Sequence, residues 1–165
     1  MTDHIPFPDL PTEKNFEGPS FSAIYTTTVT VSGGTAGHGR ASGSARSSDG
    51  ALDLSLRMPF ELGGDGRGTN PEQLFAAGCA ACYHGALSLV ARQAALDPAA
   101  ITVDATVAFG RDPQDGGYAL HLELEVTWPG IAPEIATPLL KKADSLSPYT
   151  KMAVQGTPVT ITLAP

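Results

Sequence analysis

The sequence predicts an α+β domain, and three observations support this fold class. Segments in which apolar and polar residues alternate, as in half-buried strands, occur in two groups along the chain. Each group is followed by a segment with the features of a helix, and one further strand-like segment follows the second helix. The resulting order (strands, helix, strands, helix, strand) is typical of antiparallel hairpins covered by helices.

The composition is that of one globular domain. The chain has 165 residues, 42 % of them hydrophobic and 16 % charged, so a packed core is expected. The net charge of -7 leaves no basic stripe for phosphates, which argues against nucleic acid as a partner. No apolar run near the ~20 residues of a membrane span is apparent, so no membrane association is expected. The absence of a signal-peptide pattern and the presence of only two cysteines predict a cytoplasmic protein.

The first elements follow from local patterns. Four prolines in residues 1–20 predict an extended arm without its own core, and residues 21–165 are expected to form the single domain. Phe21–Ser32 is rich in β-branched residues and predicts a strand. Gly33–Gly50 is rich in glycine and serine and predicts a long turn or an irregular hairpin. Ala51–Met58 alternates, with three leucines on one face, and predicts a second strand.

A long helix is predicted from Pro71 to about Ala95. Thr69 or Asn70 can serve as its N-cap, and proline suits the first helical position. Glu72 places an acid in the first turn, where the helix dipole favours negative charge.

The remaining elements repeat this order. Ile101–Gly110 and Tyr118–Trp128 predict two strands joined by a turn at Asp112–Gly117. Pro133 to about Ser145 predicts a second helix, and Thr157–Leu163 predicts a last strand.

The two cysteines, Cys79 and Cys82, are three residues apart and therefore share a face of the long helix. A thiol in this setting is either an inert part of the core or a reactive nucleophile. A cysteine in mid-helix gains little from its own helix dipole, so activation of Cys82 needs a cation from elsewhere. Arg40 and Arg46 in the glycine-rich segment and Arg67 before the helix are the candidates.

A metal site is a weaker interpretation of the same residues. Cys79, Cys82 and His84 resemble half a zinc site, but His84 is two positions from Cys82 and points to another face of a helix. Structural zinc sites need four convergent ligands, so neither a metal nor another cofactor is expected.

One segment, Gly68–Leu87, closely resembles the active-site helix of the OsmC/Ohr family, the organic hydroperoxide resistance proteins. It reads GTNPEQLFAAGCAACYHGAL, against a family pattern of GTNPEQLFAAGYxACFxGA. Ser47–Gly64, Val29–Gly34 and Ser147–Leu163 are also similar to family segments, and the Ohr branch fits better than the OsmC branch. The resemblance covers about Ile24–Leu163. It implies an OsmC/Ohr-like fold, in which an antiparallel sheet packs on a long central active-site helix and two chains form an intertwined homodimer.

The resemblance also implies an activity. Members of this family are thiol-dependent peroxidases that reduce organic, lipid-like hydroperoxides to alcohols through a cysteine sulfenic acid, in defence against oxidative stress. Cys82 matches the family's peroxidatic cysteine, and Glu72 matches the glutamate that holds an arginine near the thiolate. The implied reductant is a dithiol of the dihydrolipoamide type, or a monothiol if a single cysteine operates.

The chain departs from the family pattern at three positions. Ser147 stands where the family has its resolving cysteine. Thr35 stands where the family has its arginine, and Arg40 in the longer loop is the favoured replacement. Cys79 stands where a tyrosine is usual, so it either resolves the oxidised Cys82 or fills the space of the missing ring.

The spacing of Glu72 and Cys82 constrains how they cooperate. Ten positions correspond to about 15 Å along a straight helix. An arginine must bridge them, Gly78 must mark a bend, or a partner subunit must supply one of them.

Three aromatic residues, Phe60, Phe75 and Tyr149, either pack in the core or line an apolar channel for the hydroperoxide. Loss of the resolving cysteine also leaves an alternative function open. In it the protein is a non-catalytic homodimer that binds an apolar small molecule in a pocket at the dimer interface.

Overall fold

A computed structural model of the chain describes residues 20–164. The predicted arm, except Ser20, lies outside the described residues and stays a prediction. The described elements are, in chain order, β1 (Val29–Ser32), α1 (Gly39–Ser42), β2 (Ser44–Ser47), β3 (Asp53–Ser55), a 3₁₀ turn (Phe60–Leu62), α2 (Pro71–Gln93), β4 (Thr102–Arg111), β5 (Tyr118–Thr127), α3 (Pro133–Leu146) and α4 (Pro148–Gln155).

The described residues form two antiparallel sheets. The first has the order β1-β2-β3, with Val31 opposite Ala45 and Arg46 opposite Asp53. The second is the β4-β5 hairpin, whose ten residue pairs run without interruption. The predicted α+β class with antiparallel hairpins and a long helix is therefore confirmed.

The start of α2 shows why the central helix is well defined. The Asn70 side chain accepts a hydrogen bond from the Gln73 amide at 2.9 Å, and the Gln73 side chain accepts one from the Asn70 amide at 3.1 Å. This reciprocal cap, together with Pro71 at the first position, identifies Asn70 as the N-cap. The helix ends at Gln93, two residues before the predicted end.

The core lies where α2 packs against β4 and α3. Its buried members are Tyr83, Leu87, Val90, Ala91, Ile101 and Ala143. By length and composition alone, α2 could also cross a membrane, so the expectation that no such apolar run exists was wrong. The central position of the helix explains its apolar character, because a helix in a protein core is apolar on most of its sides.

The first sheet differs from the prediction. The strand expected over Phe21–Ser32 is confined to β1, and the strand expected over Ala51–Met58 is confined to β3. Gly33–Gly50, expected as a long turn or an irregular hairpin, contains α1 and β2, and β2 pairs antiparallel with β1. Strand pairing on both sides of β2 outweighs the weak local preference of its residues. Gly43 makes this possible, since a Cβ there would lie 2.1 Å from the Ser32 carbonyl oxygen.

The C-terminal segment also differs. Pro148–Gln155 forms α4, which was not predicted, although a proline at its first position and Gly156 at its end are ordinary helix signals. The strand predicted over Thr157–Leu163 is not formed. Ile161 and Leu163 are 92 % and 98 % exposed, because no sheet edge in the described part of the chain pairs with this segment.

Candidate active site

Cys82 lies beside Ser147, the residue that links α3 to α4. The distance from Cys82 Sγ to Ser147 Oγ is 3.5 Å, and Ser147 is fully buried. Ser147 is the N-cap of α4, and its Oγ accepts a hydrogen bond from the Thr150 amide at 3.4 Å. The positive end of the α4 dipole therefore lies next to the Cys82 sulfur, although Cys82 itself is in the middle of a different helix.

Tyr149 packs against α2 one turn before Cys82. A Cβ on Gly78 would lie 2.8 Å from Cε2 of the Tyr149 ring. Gly78 therefore allows close approach of α4 to α2, and α2 continues through it to Gln93. This close approach fixes α4, and with it Ser147, against the helix that bears both thiols.

Cys79 has a different environment from Cys82. Cys79 is 0 % exposed, whereas Cys82 is partly exposed. Burial, and to a lesser extent the nearby Cys82, raises the pKa of the Cys79 thiol. Cys79 is thus a buried thiol with a raised pKa, and Cys82 is the more accessible of the two thiols.

The structure brings Arg40 and Glu72 together. Arg40 Nη2 donates to Glu72 Oε1 at 2.5 Å, and the two side chains are only 23 % and 16 % exposed. Arg40 is presented by α1, within the glycine-rich segment after β1, and Glu72 by the first turn of α2. The other two candidate arginines lie elsewhere: Arg46 pairs with Asp53 on the exposed face of the first sheet, and Arg67 lies on an exposed loop.

An aromatic ring completes the surroundings of Arg40. The guanidinium carbon lies 4.5 Å from the centroid of the Phe109 ring, a cation–π contact. Phe109 stacks on Tyr118 of β5, with centroids 4.9 Å apart, and Arg111 covers Tyr118 at 4.2 Å. Sequence reasoning missed Phe109, because the alternation of β4 indicates which face a residue occupies and not which loop it meets.

The three predicted pocket aromatics occupy different surroundings. Phe75 lines an open apolar cavity of about 480 Å³, together with leucines of β5 and Val154 of α4. Phe60 is exposed in the 3₁₀ turn, with its ring near Gly66, and Tyr149 lies against Gly78.

His84 has hydrogen-bond partners within the fold. Its Nε2 donates to the Ile101 carbonyl at 3.1 Å, and its Nδ1 accepts from the Ser88 hydroxyl at 3.5 Å. Among residues 20–164, no group of three or more metal-binding side chains converges.

Comparison with known proteins identifies the family of the chain. Residues 64–162 match the model of a family described as OsmC-like protein. The chain is also 43 % identical over 143 residues to an organic hydroperoxide resistance protein of Xanthomonas axonopodis pv. citri, which covers 86 % of this chain and 95 % of that relative. The chain belongs to the OsmC/Ohr family. The resemblance that the sequence motifs indicated is thereby confirmed.

Further members support the Ohr branch of the OsmC/Ohr family. Organic hydroperoxide resistance protein OhrB of Bacillus subtilis is 38 % identical over 78 % of this chain and 90 % of that protein. A crystal structure of a putative organic hydroperoxide resistance protein of Vibrio cholerae, described as having captopril in one of its active sites, is 39 % identical. It superimposes with a TM-score of 0.72 over 82 % of this chain and 88 % of that chain.

In this OsmC/Ohr chain the predicted site residues form two separate pairs. Arg40 contacts Glu72, and Cys82 contacts Ser147. The pairs are held by different ends of the same stretch of α2, since Glu72 and Cys82 are ten residues apart, about 15 Å along a helix.

Proposed function

We propose that the protein is a cytoplasmic thiol-dependent peroxidase that reduces organic, lipid-like hydroperoxides to alcohols in defence against oxidative stress. The observation that best supports this is the ion pair between Arg40 and Glu72, residues 32 positions apart in sequence. A carboxylate that orients a partly buried guanidinium is what a site needs if it is to stabilise developing negative charge. The names of the relatives agree with this activity.

The reaction begins at Cys82. Its thiolate attacks the terminal oxygen of the hydroperoxide, so that an S–O bond forms as the O–O bond breaks. The sulfur becomes a sulfenic acid, and the alkoxide takes a proton to leave as an alcohol. Arg40 stabilises the negative charge on the thiolate and on the departing oxygen, and Glu72 keeps the guanidinium oriented.

A homodimer would bring the Arg40–Glu72 pair close to a Cys82 thiol. Within one chain Glu72, which pairs with Arg40, and Cys82 are ten residues apart on α2, about 15 Å along a helix, so we propose that the pair of one subunit faces the thiol of the other. The exposed apolar side chains of the terminal segments support such an assembly, because a monomer rarely leaves so many uncovered. They include Phe21, Ile24, Val159, Ile161 and Leu163.

Turnover of cumene hydroperoxide with a thiol reductant tests the function. Wild-type protein is expected to consume the hydroperoxide catalytically, and Cys82→Ser to lose this activity because a hydroxyl cannot replace the thiolate. A Cys79→Ser variant is the matched control and is expected to remain active. Equal residual activity in wild type and Cys82→Ser refutes the proposal.

The second candidate is a non-catalytic homodimer that binds an apolar small molecule. The apolar cavity beside Phe75 is the observation that favours it. The rate at which Cys82 reacts with a thiol probe across pH separates the two, since only the enzyme needs a thiolate that persists well below the free-cysteine pKa of about 8.5.

A further inference from the structure

We infer that Cys82 completes its cycle without a second cysteine of the chain: a small monothiol from solution reduces the Cys82 sulfenic acid, and the Ser147 hydroxyl holds the oxidised sulfur. This inference rests on the proposed function and concerns the half of the cycle that follows oxidation.

A hydroxyl lies beside the Cys82 sulfur. The Oγ of Ser147, 3.5 Å away, is fully buried and fixed at the start of α4. Because this oxygen accepts from the Thr150 amide, its hydrogen is free to be donated to Cys82. A hydroxyl can therefore bind a thiolate or a sulfenate oxygen, and it cannot form a disulfide.

Cys79 is the only other cysteine of the chain. It is 0 % exposed in an uninterrupted helix of 23 residues. Side chains three positions apart on a regular helix point in directions that suit a disulfide poorly, so bond formation would require α2 to unwind. The turn that would unwind includes Gly78, against which Tyr149 is packed, and the closed arrangement around Ser147 would be lost with it.

Cys82 is open to a reductant from solution. Its side chain is partly exposed, so a small thiol from solution can approach the sulfur. With no disulfide partner in position inside the chain, the reductant must attack the sulfenic acid itself.

Reduction of the Cys82 sulfenic acid consumes two thiols of the reductant. A reductant thiolate attacks the Cys82 sulfur, an S–S bond forms, and the S–O bond breaks to release hydroxide, which is protonated to water. A second reductant thiolate attacks the reductant sulfur of this mixed disulfide and releases the Cys82 thiolate. The sum is one hydroperoxide and two monothiols converted to one alcohol, one disulfide of the reductant and one water.

Intact-mass and peptide analysis of the full chain tests this, with one equivalent of cumene hydroperoxide and with glutathione as the probe. Without glutathione we expect a gain of one oxygen atom at Cys82. With one equivalent of glutathione we expect a mixed disulfide at Cys82, and with excess glutathione the reduced protein. Cys79→Ala is expected to pass through the same states and to retain glutathione-dependent turnover.

The outcomes separate the two proposals. Loss of two hydrogen atoms with a Cys79–Cys82 peptide, or a Cys82–Cys82 bond between subunits, overturns the inference and leaves the peroxidase function standing. Reduction by dihydrolipoamide but not by glutathione has the same meaning. Failure of Cys82 to gain oxygen from the hydroperoxide overturns both.

A gain-of-function variant checks the geometry independently. Ser147→Cys places a thiol where the hydroxyl lies 3.5 Å from Cys82, so after oxidation we expect an intramolecular disulfide between Cys82 and the introduced thiol, and a dependence on a dithiol reductant. Persistence of the sulfenic acid in this variant would show that position 147 does not lie beside the oxidised sulfur, and would remove the role assigned to Ser147.

Discussion

Arg40 is stacked on the ring of Phe109, with its guanidinium carbon 4.5 Å from the ring centroid. The same guanidinium donates to Glu72, so it is held by a charge at one edge and by an aromatic face. A stacked, bidentate-capable group loses little freedom when it binds an anion, which is the property that separates arginine from lysine. Phe109 is therefore expected to act as a positioning residue for the proposed reaction.

Phe109→Leu is expected to lower kcat/KM for cumene hydroperoxide roughly two- to thirtyfold, because a cation–π contact is worth about 0.5–2 kcal/mol. Phe109→Tyr keeps the aromatic face and is expected to restore activity. Tyr118→Leu leaves the Arg40 contact in place and is expected to have a smaller effect. Activity of Phe109→Leu equal to that of wild type would show that Glu72 alone positions Arg40.

Arg40→Lys is expected to reduce turnover by roughly tenfold or more, since a lysine cannot both pair with Glu72 and stack on Phe109. Arg46→Lys is the matched control. Both side chains of its ion pair with Asp53 are exposed, and such pairs contribute about 0–1 kcal/mol to stability. Steady-state kinetics of the two variants decide the matter, and equal losses would contradict the assignment of Arg40.

The helix that bears the site was predictable, because its start signals are local: an asparagine cap, a proline and an acid follow one another. The choice among three arginines was not predictable, since the contact between Arg40 and Glu72 depends on how the glycine-rich segment folds onto α2. Thr157–Leu163 is a second case in which a local pattern does not determine the tertiary contacts. Its alternation indicates a strand, but a strand forms only where an edge is available to pair with it.

α4 was missed for a different reason. A proline at its first position and a glycine after its last residue are clear helix signals. The β-branched residues that follow the glycine indicate a strand instead. Its presence changes the chemistry expected at Cys82, because α4 places the buried Ser147 hydroxyl and a helix N-terminus beside the sulfur.

Cys79 makes stability depend on pH in the alkaline range. Burial raises the pKa of its thiol in the folded state, so the folded protein retains a proton that the unfolded chain releases. The resulting stabilisation is complete below the unfolded pKa of about 8.5 and is lost as pH rises from there through the raised folded value. Urea unfolding at neutral and alkaline pH should show a smaller decline for Cys79→Ala than for wild type. An identical decline in the two proteins would exclude Cys79 as the source.

Gly78→Ala should lower stability in the wild-type protein and raise it in a Tyr149→Ala variant. In wild type, Gly78→Ala places a Cβ 2.8 Å from the Tyr149 ring, so α4 must shift and stability should fall. In a Tyr149→Ala background the obstacle is gone, and alanine should stabilise α2 by about 0.5–1 kcal/mol over glycine, because it restricts the unfolded chain. Denaturant unfolding of the four proteins gives the coupling energy.

Because α4 also positions Ser147, Gly78→Ala alone should shorten the lifetime of the Cys82 sulfenic acid. A stabilising Gly78→Ala in the wild-type background would contradict the close packing of Tyr149 on α2.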